Sequence, residues 1–245
     1  SALGRGGEDI PGIAGHEPCG TLVEIGSNVS NSNFQINTRV MQHHYEGCGT
    51  CSHCSTGWQQ LCVEGVKAVF GVTGNGAHAK YMKCPSSTLV PLRDDISFIS
   101  GAAISCGTGT AWGALERLDL KASQTIAIFG MGPVGLSAVM LANKMGSKVI
   151  AIDINKKRLE RSIEFGADII LNPEESKELL IDIKDLTKGL GVDASLDASS
   201  SPVARSIAVK CVKTWGKACF VGEGGDVTLD VSNDLLRRQV TVIGS

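Results

Sequence analysis

Four cysteines crowd into one short segment of this 245-residue sequence, and thiols at this spacing are suited to binding a metal ion. They are Cys48, Cys51, Cys54 and Cys62. Structural zinc needs four tetrahedral ligands and no open position. Two cysteines at Cys-x2-Cys spacing can bind the same ion. We therefore predict a structural zinc lobe over residues 48–62, with His53 as a solvent-facing bystander.

Three other interpretations of this cluster remain open but are less favoured. A disulfide framework fits poorly, because the pairs are too closely spaced and the total of nine cysteines is odd. A redox Cys-x-x-Cys would leave two clustered cysteines without a role. A nucleic-acid zinc module needs basic residues for phosphate contacts, and no Lys or Arg lies between Cys48 and Cys62.

A second set of metal-binding residue types is spread along the chain. His16 and Glu17 are adjacent, and Cys106 follows far downstream. An isolated histidine is more often a satisfied core or surface residue, and a lone cysteine is usually a small hydrophobe. Spacing alone therefore does not favour a metal site built from these three residues.

The segment Gly130-Met-Gly-Pro-Val-Gly135 has the G-x-G-x-x-G spacing of a dinucleotide-binding turn. A predicted strand ends at Phe129, directly before this glycine turn, and a predicted helix begins at Pro133 within it. The glycines allow a tight turn and a close approach of a pyrophosphate, whose charge the helix N-terminus attracts. We predict that the turn, including Pro133, binds a dinucleotide cofactor.

An acidic residue, Asp153, directly follows the next predicted strand, at 148–152. A carboxylate there accepts hydrogen bonds from both ribose hydroxyls of NAD and would repel the 2′-phosphate of NADP. The basic residues at 156–158 weaken this preference, because a basic side chain tolerates a phosphate. The other interpretation is a strand-end carboxylate that caps the next helix. NAD is the favoured cofactor.

The composition of the chain and its predicted elements change near residue 106. Residues 1–106 are rich in Gly, Pro, Asn and Ser with short extended runs at 20–25 and 38–41, which predicts an irregular β domain with long loops. Residues 107–245 alternate strands and helices, which predicts an α/β fold with a six-stranded parallel, doubly wound sheet. The predicted strands are 124–129, 148–152, 167–171, 192–197, 217–221 and 240–243. The predicted helices are 133–145, 156–165, 175–188 and 202–213.

Composition narrows the classes of function. The formal net charge is -2, so nothing indicates a nucleic-acid partner. No run approaches the roughly 18 apolar residues of a membrane helix. Nine cysteines with one tight cluster indicate a reducing compartment, and we expect a cytoplasmic protein. The apolar strand at 240–243 would form an exposed edge, which favours a homodimer or homotetramer.

Several motifs, in this order, resemble the zinc-containing medium-chain alcohol dehydrogenases. Gly15-His-Glu-Pro-Cys-Gly20, followed by Val23-Glu-Ile-Gly26, is similar to the G-H-E-x-x-G…G stretch of that family. The four-cysteine lobe, the segment Cys106-Gly-Thr-Gly-Thr110 and the glycine turn follow it. The similarity extends from about residue 11 to the end of the sequence. It implies a GroES-like catalytic domain over 1–106 and a Rossmann NAD-binding domain over 107–245.

The resemblance also implies a zinc-dependent oxidoreductase that transfers a hydride between an alcohol, or its aldehyde or ketone, and NAD. His16 and Cys106 would bind a catalytic zinc, with Glu17 as a nearby or exchanging carboxylate. That zinc would act as a Lewis acid on the alcohol oxygen. The hydride would leave the carbinol carbon for the nicotinamide.

Further roles in cofactor binding are implied by the same resemblance. Three glycines would lie against the pyrophosphate: Gly130, Gly132 and Gly135. Asp153 would bind the adenosine ribose, with Arg158 beside it. The nicotinamide pocket would be lined by Thr110, Val134 and the backbone around Val221.

The sequence departs from the family pattern at both ends. The family's first catalytic zinc ligand is a Cys well upstream of the G-H-E, and no cysteine precedes His16 here. A catalytic zinc normally has three protein ligands, and Cys19 is a poor substitute because it should point elsewhere from its strand. The sequence lacks an initial Met and stops near the last predicted strand, before the family's return to the catalytic domain. We expect a longer natural protein, and little activity from these 245 residues alone.

Other functions remain as alternatives. A polyol dehydrogenase, or an amino-alcohol dehydrogenase of the threonine type, would share the lobe and the ligands. A non-catalytic nucleotide-binding or zinc-binding relative would keep the scaffold without the chemistry. The absent upstream cysteine would favour that relative if the N-terminus were genuine.

Overall fold

The structure, a computed structural model, describes residues 12–29 and 33–245. It divides into two compact units, Ser1–Cys106 and Gly107–Ser245. No helix in the described ranges is long and apolar enough to cross a membrane.

The first unit is an irregular β structure whose strands are all short. A three-stranded antiparallel sheet has β2 in its centre and consists of β1 (Cys19–Thr21), β2 (Arg39–Gln42) and β5 (Leu89–Pro91). A two-stranded antiparallel sheet pairs β3 (Tyr45–Glu46) with β4 (Ala68–Val69). The helices of this unit are α1 (Ser52–Ser55) and α2 (Phe98–Ala103).

The predicted extended run at 20–25 is regular strand only as far as Thr21. Val23 is 60% exposed, so the apolar residues of this run do not all face a core. The chain turns soon afterwards, where the Val29 N–H donates to the carbonyl of Gly26. The apolar pattern alone therefore overstated the length of this strand.

The second unit contains the predicted six-stranded, all-parallel sheet. Its strands are β6 (Thr125–Phe129), β7 (Lys148–Ile152), β8 (Ile169–Leu171), β9 (Val192–Asp197), β10 (Val212–Phe220) and β11 (Thr241–Gly244). Their order across the sheet is β11-β10-β9-β6-β7-β8. The helices are α3 (Gly109–Leu118), α4 (Pro133–Lys144), α5 (Lys156–Glu164), α6 (Leu179–Asp185) and α7 (Pro202–Cys211). This confirms the α/β fold with a parallel, doubly wound sheet.

Alternating side chains of β6 divide the core of this unit into two layers. Ile126 and Ile128 belong to the layer that includes residues of α3, α4 and α5. Ala127 and Phe129 belong to the layer that includes residues of α6 and α7. All four side chains are almost completely buried. A strand has a side-chain period of two, so a continuous apolar run such as this one supplies both faces of a covered parallel sheet.

Three elements of the second unit differ from the sequence prediction, and one of them is α6, which spans Leu179–Asp185 rather than 175–188. Helix α3 was not predicted, because three glycines at 107, 109 and 113 weaken the helical signal. Packing overrides that low propensity, since Ala111, Ala114 and Leu115 on its inner face are fully buried. Strand β10 begins at Val212 rather than at residue 217. Its early part contains an irregularity at which Trp215 has a φ of 64°.

Candidate zinc and dinucleotide sites

The four cysteines of the lobe converge in space. Their sulfur atoms all lie within 4.8 Å of one another. The sulfurs of Cys48 and Cys54 are 3.9 Å apart, close to the roughly 3.8 Å that a tetrahedral ion with Zn–S bonds of about 2.3 Å requires. Helix α1 has Cys51 as its N-cap, and its single turn brings Cys54 back towards that residue. A 3₁₀ turn at Gln59–Leu61 then delivers Cys62. The donor set and spacing fit zinc.

Hydrogen-bond donors are directed at these sulfurs. The Cys48 N–H donates to Sγ of Cys62 over 3.2 Å, and the N–H groups of Thr50 and Cys51 donate to Sγ of Cys48 over 3.4 and 3.3 Å. The Thr50 hydroxyl bond, followed by these two N–H groups, lowers the pKa of Cys48 to about 6. A lowered pKa favours the thiolate, which is the form that binds a metal.

The pKa values of Cys51 and Cys54 shift in opposite directions. N–H groups of Cys54 and Val63 lower the pKa of Cys51. A hydrogen bond from the Gly49 backbone lowers the pKa of Cys54, but burial and the neighbouring thiols outweigh it and raise that pKa to about 11. The side chain of His53 is exposed and lies outside the cluster, as the sequence predicted.

A second cluster brings His16, Glu17 and Cys106 together. One ligand atom from each of these residues lies within 4.8 Å of the other two. They are the only three-residue metal-type group besides the lobe within residues 12–29 and 33–245. Cys19 is not a member of this group. Its sulfur instead lies beside Gly101 of α2, where an added Cβ would be 2.6 Å away. The fold therefore joins residues whose spacing in sequence gave little reason to connect them.

Backbone hydrogen bonds attach the segment before His16 to a distant loop. The N–H groups of Gly76, Ala77 and His78 donate to the carbonyls of Ile13, Gly15 and Ala14, over 2.6 to 2.9 Å. The contact is so close that a Cβ on Gly76 would lie 2.1 Å from the Gly15 oxygen. Only glycine fits at such an approach. The loop at 76–78 thus fixes the backbone from which His16 projects.

Cys106 lies on a π-helical segment, Ile104–Thr108, that connects α2 to α3 along the chain. Such segments are rare and often occur at functional sites. Burial, followed by the negative charge of Glu17, raises the pKa of the Cys106 thiol to about 11. A half-buried thiol beside a carboxylate is an unfavourable place for a second negative charge, and a bound cation would reverse that balance.

His44 is a residue that the sequence interpretation missed. Its ring packs edge-on against the ring of His16, with centroids 5.1 Å apart and an interplanar angle of 77°. Its Nδ1 is buried and has no hydrogen-bond partner in the described part of the chain. Burial, followed by the charges of His16 and His43, lowers the pKa of His44 to about 4. The side chain is therefore neutral near pH 7. The adjacent pair His43-His44 directly after β2 was the available signal.

The glycine turn lies between β6 and α4, as predicted. Gly132 is the N-cap of α4 and provides no side-chain cap, so the first N–H groups of the helix have no partner from that residue. An added Cβ on Gly132 would meet nothing within 4 Å. At Gly135 a Cβ would lie 1.8 Å from the Gly130 oxygen, so the helix is packed tightly onto the turn. Pro133 occupies the first helical turn, where its missing N–H does no harm. This open, positively polarised helix start fits a pyrophosphate.

Asp153 lies directly after β7 and is 7% exposed. One carboxylate oxygen accepts the Met131 N–H of the glycine turn over 2.6 Å, and the other accepts the Asn155 N–H over 2.8 Å. The cap of α5 is the side chain of Asn155, so Asp153 itself is not the N-cap. Arg158 is exposed, with one guanidinium nitrogen 3.9 Å from Asp153.

The remaining predicted residues lie at the start of a helix or just after a strand of the second unit. Thr110 is half-buried in the first turn of α3. Val134 is partly buried in the first turn of α4, and Val221 directly follows β10. Both valines pack against the core layer that contains α3 and α4.

In its described residues the first unit contains two clusters of metal-binding residue types, and the second is a parallel α/β unit with a G-x-G-x-x-G turn. Residues 3–94 match the alcohol dehydrogenase GroES-like domain, and residues 133–245 match the zinc-binding dehydrogenase family. An alcohol dehydrogenase of Geobacillus stearothermophilus is 31% identical over 237 residues, which are 96% of this chain and 68% of the relative. The chain thus belongs to the zinc-containing, medium-chain alcohol dehydrogenase family, and its first unit is the GroES-like domain of that family.

Two further similarities agree with this assignment. The zinc-type alcohol dehydrogenase-like protein YphC of Escherichia coli (strain K12), described as uncharacterized, is 36% identical over 237 residues, or 95% of this chain. The chain spans 65% of the length of that relative. The crystal structure of 2R,3R-butanediol dehydrogenase from Bacillus subtilis aligns with a TM-score of 0.83 at 26% identity. That alignment covers 97% of this chain and 66% of the solved one.

Proposed function

We propose that the protein is a zinc-dependent oxidoreductase that transfers a hydride between an alcohol, or its aldehyde or ketone, and NAD. The observation that carries the proposal is the convergence of His16, Glu17 and Cys106, whose ligand atoms lie within 4.8 Å of one another. Cys106 is far in sequence from the adjacent pair His16 and Glu17, and the donor atoms of the three residues suit zinc. The family of the chain supports the same chemistry.

The residues of this cluster have distinct roles in the proposal. His16 and Cys106 would bind the catalytic zinc, and Glu17, which is exposed, is free to bind or to withdraw. Zinc held there supplies Lewis-acid chemistry that makes an alcohol proton easier to remove. Cys106 must lose its own proton to bind, which its burial opposes without a cation. His44 stays neutral beside His16 and adds no further positive charge to the cluster.

The cofactor in this proposal is NAD. The N-terminus of α4 would bind the pyrophosphate, with Gly130, Gly132 and Gly135 as its closest residues. Asp153 would accept a ribose hydroxyl and oppose a 2′-phosphate. The exposed Arg158, 3.9 Å from Asp153, weakens this preference because a basic side chain tolerates a phosphate, but the carboxylate of Asp153 keeps NAD the favoured cofactor. NAD bound there supplies the hydride acceptor, and Thr110, Val134 and the backbone at Val221 would surround its nicotinamide.

The lobe would hold a structural zinc through its four thiolates, which leaves that ion no open position. An odd total of nine cysteines with one tight metal-type cluster supports a reducing, cytoplasmic location. Strand β11 is at an edge of the sheet, and its Val242 is 39% exposed. Such an exposed edge is suited to pairing with a second copy, which would give a homodimer or homotetramer. The partner in the reaction is a small alcohol, and we expect neither nucleic acid nor membrane as a partner.

The test uses the natural full-length protein, loaded with zinc and assayed by the absorbance of NADH at 340 nm. The substrates are a primary alcohol, 2,3-butanediol and L-threonine, which separate simple alcohol, polyol and amino-alcohol dehydrogenases. We expect NADH formation with at least one substrate and its loss in His16→Ala. A fully zinc-loaded protein that reduces NAD with none of a wide range of alcohols would contradict the proposal. It would favour a non-catalytic relative instead.

A further inference from the structure

A buried ion pair near the carboxyl edge of the sheet has no role in the site described so far. Asp197 is the last residue of β9, and Arg205 lies on α7. Their side chains are 0% and 8% exposed, and Nε of Arg205 donates to a carboxylate oxygen of Asp197 over 3.2 Å. The guanidinium lies 5.6 Å from the centroid of the Phe220 ring. Burying two charges opposes folding unless both are well satisfied, so this pair needs a local explanation.

The guanidinium of Arg205 joins two loops. Its Nη1 donates to the carbonyl of Gly225 over 2.6 Å, and its Nη2 donates to the carbonyl of Gly222. Both glycines belong to the loop after β10. The planar guanidinium thus contacts Asp197 and two backbone carbonyls at once, which a lysine ammonium with its point charge cannot reproduce.

Asp197 fixes the other loop, at 198–201. Its carboxylate accepts the N–H and the hydroxyl of Ser199 over 3.1 and 2.6 Å, and the N–H of Ser200 over 3.3 Å. Its carbonyl accepts the N–H groups of Val221 and Gly222. Arg205 and Asp197 therefore hold the loops after β9 and β10 against each other.

The loop after β9 lies against the glycine turn. An added Cβ on Gly130 would be 2.9 Å from backbone and side-chain atoms of Ser199. Strand β6 has β9 on one side and β7 on the other. A dinucleotide on such a sheet crosses the carboxyl ends of the strands where the order reverses. With the adenosine half at Asp153 beyond β7, the nicotinamide half extends over the ends of β9 and β10.

We propose that Arg205 is a positioning residue for the nicotinamide half of the cofactor, because it sets the loops at 198–201 and 221–225. This inference rests on the proposed dinucleotide function. Arg205 does not touch the cofactor in this arrangement. It acts through Ser199, Val221 and the backbone of the loop after β10. Its loss should therefore weaken the part of the cofactor over β9 and β10, and should spare the part over β7.

The experiment measures binding of NADH and of ADP by isothermal titration calorimetry to the natural full-length protein. ADP carries the adenosine and pyrophosphate but has no nicotinamide nucleoside. The variants are Arg205→Met and the conservative Arg205→Lys. The matched control is Lys210→Met, which removes a charge from the same helix near Asp234 and away from these loops. Circular dichroism checks that each variant is folded.

We expect Arg205→Met to raise the Kd of NADH by about tenfold, the scale expected when a network that couples to a ligand is broken. The Kd of ADP should stay within about twofold, and Arg205→Lys should restore NADH binding only in part. Lys210→Met should match the wild type. An unchanged Kd of NADH in Arg205→Met would overturn the inference. Equal weakening of NADH and ADP would also overturn it, because it would indicate a general effect on the fold. A wild type that binds neither NADH nor ADP would overturn the proposed function, and this inference with it.

Discussion

The two candidate metal clusters are built in opposite ways. The lobe takes its four ligands from residues 48–62, and local N–H groups already point at several of the sulfurs. The cluster of His16, Glu17 and Cys106 depends on contacts between distant parts of the chain, including the loop at 76–78. A local cluster forms with little loss of chain entropy, whereas a long-range cluster exists only once the surrounding fold has formed.

The electrostatic environments of the two clusters also differ. Hydrogen bonds lower the pKa of Cys48 in the lobe to about 6. Burial and the Glu17 charge raise the pKa of Cys106 to about 11. The lobe therefore has a Cys48 thiolate ready near pH 7, whereas Cys106 must lose its proton to the metal itself. Within the lobe Cys54, whose pKa is also raised to about 11, shares that requirement.

The largest effects should come from removing one ligand of each cluster. In the natural full-length protein, His16→Ala should lower alcohol oxidation at least about a thousandfold, since Lewis-acid stabilisation is worth several kcal/mol. Zinc should fall from about two per chain to about one. Cys48→Ser should also remove about one zinc, but should mainly lower the melting temperature, by about 10 °C. Activity assays, metal analysis and thermal scans measure these quantities. An equal loss of activity and stability in both variants would contradict the assignment of separate catalytic and structural roles to the two clusters.

The next effect concerns the long-range support of the second cluster. Gly76→Ala would place a Cβ 2.1 Å from the Gly15 oxygen and 2.6 Å from Cα of Gly71. Backbone atoms do not give way cheaply, so we expect a penalty of about 3 kcal/mol and a roughly hundredfold weaker affinity of the second cluster for zinc. The control is Gly20→Ala, because an added Cβ there meets nothing within 4 Å. Zinc titration with a chromophoric chelator measures both sites. Loss of lobe zinc to the same degree would contradict this view.

The third effect is the order in which thiols react after zinc is chelated. At pH 7 the thiolate fraction of Cys48 exceeds that of Cys106 by about 10⁴, while its lower basicity reduces its nucleophilicity by about 10², so alkylation should be about a hundredfold faster. The Cys48 rate should fall as the pH drops below about 6 and should be level above that pH. The Cys106 rate should keep rising towards pH 11. Iodoacetamide labelling with peptide mass spectrometry follows both residues. Faster labelling of Cys106 at pH 7 would refute the assigned environments.

The smallest effect belongs to Glu17, an exposed residue whose charge is the second cause of the raised pKa of Cys106. Glu17→Gln removes that charge and leaves burial as the main cause. We expect the pKa of Cys106 to fall slightly and its alkylation at pH 7 to quicken by about twofold. Alkylation of Cys48 is the internal reference and should not change. A slower reaction at Cys106 would show that the carboxylate does not act on this thiol through its charge.

Much of the second unit followed from the sequence because its signals are local. The runs at 125–129 and 148–152 are continuous and apolar, and glycines follow the helices that come after them. Helix α3 was not predicted, because its glycines oppose a helix. The buried contacts of Ala114 and Leu115 stabilise it instead. Such contacts come from residues distant in sequence, and no local pattern contains them.

The same distinction holds for the sites. The spacing of the four cysteines predicted that they converge, because a single helical turn is enough to bring neighbouring cysteines together. The meeting of His16 with Cys106 came only from the family resemblance. His44 and the loop at 76–78 were missed, since their proximity to His16 and Gly15 depends on how the loops of the first unit fold. No local pattern joins Asp197, the last residue of a predicted strand, to Arg205 on the predicted helix that follows.

The carboxylate of Asp153 has both oxygens engaged by backbone N–H groups, one of them in the glycine turn. In the proposed function, coenzyme choice and the shape of the turn therefore depend on the same atoms. A substitution of Asp153 that admits a 2′-phosphate also removes the acceptor of the Met131 N–H. The same change therefore affects both the coenzyme and the glycine turn. A lineage that moves towards NADP must first acquire another acceptor for that N–H, and the order of its mutations is constrained accordingly.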